Sequence, residues 1–185
     1  PLKVLVPELE VRTVEQNTPF AGVVNTITVS IKANCDLPAG STVTIHELTG
    51  SATPNGTLGI VRGNGGFGDS GVWDAYGNLT LTSVGMVRRQ TYEARFNVTN
   101  PATSQGSPGV RMRASVRSVY GDISPLASVL ADRNQAELLG VANGSSPLKV
   151  LVPELEVRTV EQNTPFAGVV NTITVSIKAN CDLPA

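Results

Sequence analysis

The stretch PLKVLVPELEVRTVEQNTPFAGVVNTITVSIKANCDLPA at residues 147–185 restates residues 1–39 letter for letter. Subtracting 1 from 147 gives a period of 146 residues, so the chain reads as one full repeat followed by the first part of the next. Repetition at a fixed period marks an array of like units, each resting on its neighbours. A unit of this length suits one domain with a core of its own. The division expected is therefore residues 1–146 as a first domain, with a crossover or linker at about 121–146, and residues 147–185 as the opening of a second.

Inside the repeat the dominant signal is alternation. Ile27, Val29, Ile31 and Ala33 point one way while Thr26, Thr28, Ser30 and Lys32 point the other, the period of a half-buried strand. The same pattern places Leu9 and Val11, Val43 and Ile45, Leu79 and Leu81, then Tyr92, Ala94, Phe96 and Val98, and finally Val110, Met112, Ala114 and Val116 on inward faces. Leu2, Val4 and Val6 form a first extended piece, and Pro7 interrupts it. Glycine crowds residues 63–71 and predicts a loop there, whereas Ala75-Tyr76-Gly77 predicts a hairpin turn. Ser124, Pro125, Leu126, Val129 and Leu130 carry the chain's one trace of helical pattern, a single turn in an irregular crossover. Short strands at regular spacing, few aromatics and abundant Val, Thr, Gly and Asn predict an all-β fold, an immunoglobulin-like antiparallel β-sandwich.

Charge excludes several functions. Residues 1–146 contain 11 Lys plus Arg and 11 Asp plus Glu, so each unit is neutral and carries no footprint for nucleic acid. Arg111, Arg113 and Arg117 read as the solvated face of a strand. No run of 18 apolar residues offers a membrane-inserted segment.

Catalytic and cofactor motifs fail on their partners. Gly68-Asp69-Ser70-Gly71 has the look of a protease nucleophile segment, yet His46 is the one histidine and no second aspartate is free to orient it. Gly63-Asn64-Gly65-Gly66-Phe67-Gly68 has dinucleotide spacing without a following helix. One His and one Cys per unit supply no zinc ligand set, and Asp69 and Asp74 match no calcium loop. No enzyme and no cofactor are expected.

Asn55-Gly56-Thr57, Asn78-Leu79-Thr80, Asn97-Val98-Thr99 and Asn143-Gly144-Ser145 are acceptor motifs for N-glycosylation. Asn78 and Asn97 fall on outward strand positions and Asn55 and Asn143 in turns, all places where a bulky sugar fits. Cys35 and Cys181 are one position counted twice, a half-buried free thiol or a bridge to another unit or chain.

Several segments together carry a resemblance: Val4-Leu5-Val6-Pro7, Asn25-Thr26-Ile27-Thr28-Val29, Ala33-Asn34-Cys35-Asp36-Leu37, Gly40-Ser41-Thr42-Val43-Thr44-Ile45, Leu48-Thr49-Gly50-Ser51-Ala52-Thr53-Pro54, Leu79-Thr80-Leu81-Thr82, Thr99-Asn100-Pro101-Ala102 and Gly140-Val141-Ala142-Asn143-Gly144. The unit resembles the tandem repeats of very large extracellular proteins of algae and other microbial eukaryotes. That resemblance implies a secreted or cell-surface location and a fibril-forming module without assigned activity. Ile45-His46-Glu47-Leu48 departs from the Ile-x-Gly-Leu form common in such repeats.

The expected function is a structural one: an extracellular, glycosylated fibril or surface filament of head-to-tail copies, partnered by itself. A repetitive adhesin or carbohydrate-binding array is the alternative, with Phe67, Trp73 and Tyr76 as its aromatic contacts. Successive units are expected to share a strand, supplied by Leu148, Val150 and Val152 or by Leu155 and Val157. Such a donated segment would cover an otherwise open sheet edge.

Overall fold

The computed structural model describes residues 6–118, 121 and 123–183. Leu2 and Val4 lie outside the described residues, and so does Val119. The described residues form strands and loops with no helix, and none is therefore long and apolar enough to cross a membrane.

Eleven strands belong to the first repeat. They are β1 (Leu9–Gln16), β2 (Val24–Ala33), β3 (Thr42–His46), β4 (Gly56–Gly63), β5 (Phe67–Trp73), β6 (Leu79–Ser83), β7 (Tyr92–Thr99), β8 (Arg111–Arg117), β9 (Ile123–Pro125), β10 (Val129–Leu130) and β11 (Asp132–Arg133). Hydrogen bonding follows the path β10-β8-β3-β6-β5-β4-β7-β2-β1-β11, with β9 beside β8. All of these pairs are antiparallel except β1 with β11. Strand β4 links the two halves of the path: Gly56–Gly59 pairs with β5, and beyond a register shift Ile60–Gly63 pairs with β7. Only Ala131 separates β10 from β11, so the two ends of the path return to one place. There Arg12 on β1 donates from Nε to the carbonyl of Leu130 on β10 at 2.9 Å. The architecture is all-β and mostly antiparallel, sandwich or barrel-like.

Alternation fills the core as the hydrophobic effect requires. Ile27, Val29, Ile31, Val43, Ile45, Leu79, Leu81, Ala94, Phe96, Val110 and Met112 are sealed from solvent in one cluster.

Three expectations need correction. Residues 63–71 are mostly strand: β5 begins at Phe67, and its Gly71 packs so closely against Leu79 and Leu81 that a Cβ would sit 2.8 Å from each. Here glycine marks close approach within a sheet. Val11 leaves the inward phase because Leu9 pairs with Ala33 while Val11 pairs with Lys32, a bulge that turns Val14 and Gln16 inward in its place. The crossover around residues 124–130 contains no helical turn, because β9 and β10 both pair with β8.

Removing the largest sealed side chain tests this core. Phe96→Ala should cost about 3–5 kcal/mol in urea unfolding, and Val11→Thr should stay within about 0.5 kcal/mol.

Candidate inter-repeat junction

Three buried amide side chains gather at one end of the core: Gln16 at the close of β1, Asn25 in β2 and Asn100 just after β7. Each continues an inward phase, Gln16 from Val14, Asn25 ahead of Ile27, and Asn100 beyond Val98. Asn25 Nδ2 donates to Gln16 Oε1 and to Asn100 Oδ1, both at 2.8 Å. Asn100 Nδ2 donates in turn to the carbonyls of Phe20 and Thr18 at 2.8 and 3.2 Å. Asn25 Oδ1 is buried without a partner. Polar groups buried at this depth are destabilising unless their hydrogen bonds are made.

What completes the cluster is the start of the second copy. Gln16 Nε2 donates to the carbonyls of Gly144 and Lys149 at 2.7 and 2.8 Å, and Gln16 Oε1 accepts from the Leu148 N–H at 2.7 Å. One side chain thus reads three backbone groups of the passing segment. Farther along, Val150 and Gln105 exchange both backbone hydrogen bonds, at 3.0 and 2.9 Å. On the opposite side the Leu151 N–H reaches the Pro19 carbonyl at 2.7 Å, and the Leu151 carbonyl accepts from Ala21 at 3.0 Å. Ser104 Oγ accepts from Val152, and Ser107 Oγ donates to the Pro147 carbonyl. The segment is held on both edges by isolated bridges rather than a continuous ladder.

Its side chains are buried with its backbone. Leu148 and Val150 expose 0 and 1% of their surface inside the first repeat, a gain of about 1.5–3 kcal/mol for each. Leu148 holds φ of +53°, a left-handed conformation that a branched residue keeps only where its surroundings over-determine it. Gln105 Nε2 reaches the Leu148 carbonyl at 2.9 Å across Gly50, whose φ is +86° and whose position a Cβ would take from the Gln105 amide.

Leu155 and Val157 are placed differently. They lie in β12 (Leu155–Gln162), which pairs with β13 (Ile173–Ala179) of the same copy in a separate two-stranded sheet. Its register duplicates that of β1 with β2, bulge included. Asn171 Nδ2 meets Gln162 Oε1 at 2.9 Å, as Asn25 meets Gln16, but in solvent. Val160, Ile173, Val175 and Ile177 are 54–70% exposed, whereas Val14, Ile27, Val29 and Ile31, the same residues one period earlier, are fully covered. This second hairpin touches the first repeat through the Asp182 N–H, which donates to the Leu139 carbonyl at 3.0 Å.

The glycosylation motifs divide by environment. Asn55, Asn97 and Asn143 are exposed. Asn78 sits in the turn before β6 and not on a strand position, with its Oδ1 accepting from Glu47 N–H and its Nδ2 donating to Asp74 Oδ2. Asn97 Oδ1 accepts from Thr26 Oγ1 at 2.9 Å. Cys35 and Cys181 are half-buried free thiols. Burial, and after it the neighbouring Asp36 carboxylate, pushes the Cys35 thiol above its ordinary range, which keeps it a poor nucleophile.

Ser70 and His46 lie on β5 and β3, with β6 between them. Among the described residues no three His, Cys, Asp or Glu side chains gather in a way that could hold a metal ion. No protein-family model matches the chain, and no curated protein matches it.

Identical residues in covered and open copies give an internal control. Gln16→Ala strands the Leu148 N–H, two carbonyls and one Asn25 proton, and should lower stability by at least about 3 kcal/mol. Gln162→Ala in the solvated copy should change it by no more than about 0.5 kcal/mol, both read from chemical denaturation of the first repeat.

Proposed function

We propose that this chain is a stretch of an extracellular, N-glycosylated structural filament, in which head-to-tail copies of an immunoglobulin-like β-sandwich are each completed by the opening residues of the next. On this reading it belongs with the tandem-repeat surface proteins that its sequence resembles, its partners are copies of itself, and it carries out no catalysis. The observation that carries the proposal is the sealing of Leu148 and Val150 of the second copy inside the first. A unit that borrows core residues from its successor cannot swing freely against it, so bending stiffness is built into every junction. The contact is heterologous, one surface meeting a different one, and such contacts propagate as open filaments when the rotation does not close.

The open face of β12 and β13 supports the same reading. Its residues are those that strands β3 to β8 cover one period earlier, so a body like residues 40–146 is the complement it fits. Neutral charge per unit also lets many copies adjoin without accumulating repulsion.

The adhesin reading rests on a cleft of about 270 Å³ lined by Thr49, Ser51, Thr53, Trp73, Asp74 and Tyr76. Tyr76 is exposed there, but Trp73 is buried and donates to the Thr53 carbonyl. The Asp74 carboxylate is occupied by Tyr76 N–H, Asn78 N–H and Asn78 Nδ2. That leaves a small platform for a ligand.

The test replaces the buried pair. Leu148→Asp with Val150→Asp should lower the stability of the first repeat by about 4 kcal/mol or more and, made in every copy of an array, should turn straight filaments into flexible strings in electron micrographs. Leu155→Asp with Val157→Asp should leave the first repeat unchanged. Straight filaments from the buried-pair variant, or specific sugar capture at the Tyr76 cleft, would overturn the proposal.

A further inference from the structure

A second cleft opens where the linker enters the junction. It measures about 240 Å³ and is lined by Ser107, Arg133, Gln135, Asn143, Ser146 and Lys149. Two are cations, two are amides, two are hydroxyls, and no carboxylate is among them. Arg133 spends one guanidinium nitrogen on the carbonyls of Ser107 and Pro108, at 3.3 and 3.1 Å. The lining comes from both sides of the junction: Ser107 and Arg133 belong to the first body, whereas Lys149 belongs to the segment threading into it. Asn143, on the rim, is the acceptor of an Asn-Gly-Ser motif and is exposed.

We infer that Asn143 carries an N-linked glycan whose first sugar lies in this cleft and staples the threading segment to the body. The volume is below the roughly 300 Å³ at which pockets for drug-sized ligands begin, which suits one monosaccharide with the remainder of the glycan in solvent. Sugars present hydroxyl and acetamido oxygens, the acceptors that Arg133, Lys149 and Gln135 can serve. Attachment joins Asn143 Nδ2 to the anomeric carbon of a lipid-linked oligosaccharide diphosphate. The new C–N bond replaces the sugar–phosphate bond, the amide gives up one proton, and the lipid diphosphate leaves with the bonding electron pair. Asn143 has φ of +56°, which asparagine and aspartate tolerate better than other side-chain-bearing residues, so Asn143→Asp removes the acceptor while keeping the turn.

The inference rests on the filament reading, because it treats the junction as a part worth reinforcing. Its test uses the whole chain secreted from a glycosylating host. Peptide mass mapping gives occupancy at Asn143, and an amine-reactive reagent gives the accessibility of Lys149 Nζ relative to Lys178, which lies in the solvated hairpin. With the glycan present, or trimmed to its first sugar, Lys149 should react about three- to tenfold more slowly than in Asn143→Asp, the effect of one net hydrogen bond. Arg133→Ala should restore its reactivity without lowering occupancy, and Asn97→Asp should leave it unchanged. An unoccupied Asn143, or an occupied one that leaves Lys149 as reactive as in Asn143→Asp, would overturn the inference. Either result leaves the filament reading standing, since that depends on the unglycosylated core contacts of Leu148 and Val150.

Discussion

A buried amide cannot be left without partners, and at Gln16 that constraint links one repeat to the next. Its side chain lies within the core end of the first repeat, and three of its four hydrogen bonds go to backbone that the sequence assigns to the linker and the following copy. Apolar contact alone would hold a threading segment in any register. A glutamine that accepts from one N–H and donates to two carbonyls fixes the register, since sliding by one residue would present the wrong group at each position. Leu148 then points into the core with its backbone in a conformation it would not choose in isolation.

The repeat consequently has two boundaries. In sequence it runs from residue 1 to residue 146. In three dimensions a complete body extends to about residue 152, because the core closes only when Leu148 and Val150 are in place. The mismatch between the two frames is what couples neighbours: each body is finished with residues that are continuous with the next hairpin. That hairpin has its turn, its bulge, its Asn171 to Gln162 bond and its Lys178 to Glu156 ion pair already formed. Much of the ordering entropy of the next body is thereby met before its remaining strands pack.

Much of this fold was legible in the sequence. Strict alternation in β2, β3, β6 and β7 marked inward residues that proved fully buried, since a period of two leaves no other way to hide them. Gly71 misled because glycine reads as a loop signal, and its reason here, the approach of Leu79 and Leu81, involves another strand. The bulge near Glu10 depends on the register with β2, which no local pattern in β1 encodes. The duplicated letters drew attention to residues 148–152, but the clamp that receives them went unseen. Gln16, Asn25 and Asn100 each extend a run of inward apolar positions with a polar side chain, and that anomaly was available as a signal. Gln105, in an irregular loop, offered none.

Native-state hydrogen exchange on the unglycosylated chain asks most directly whether the second copy's opening residues are part of the first repeat's core. The backbone amides of Leu148, Val150 and Leu151 should exchange with the same opening free energy as those of Val29 and Phe96, through global unfolding of the first repeat. Exchange of those three amides at the rate of the solvated loop around Phe166, while Val29 and Phe96 stay protected, would show that the segment merely rests on the domain and would contradict the account.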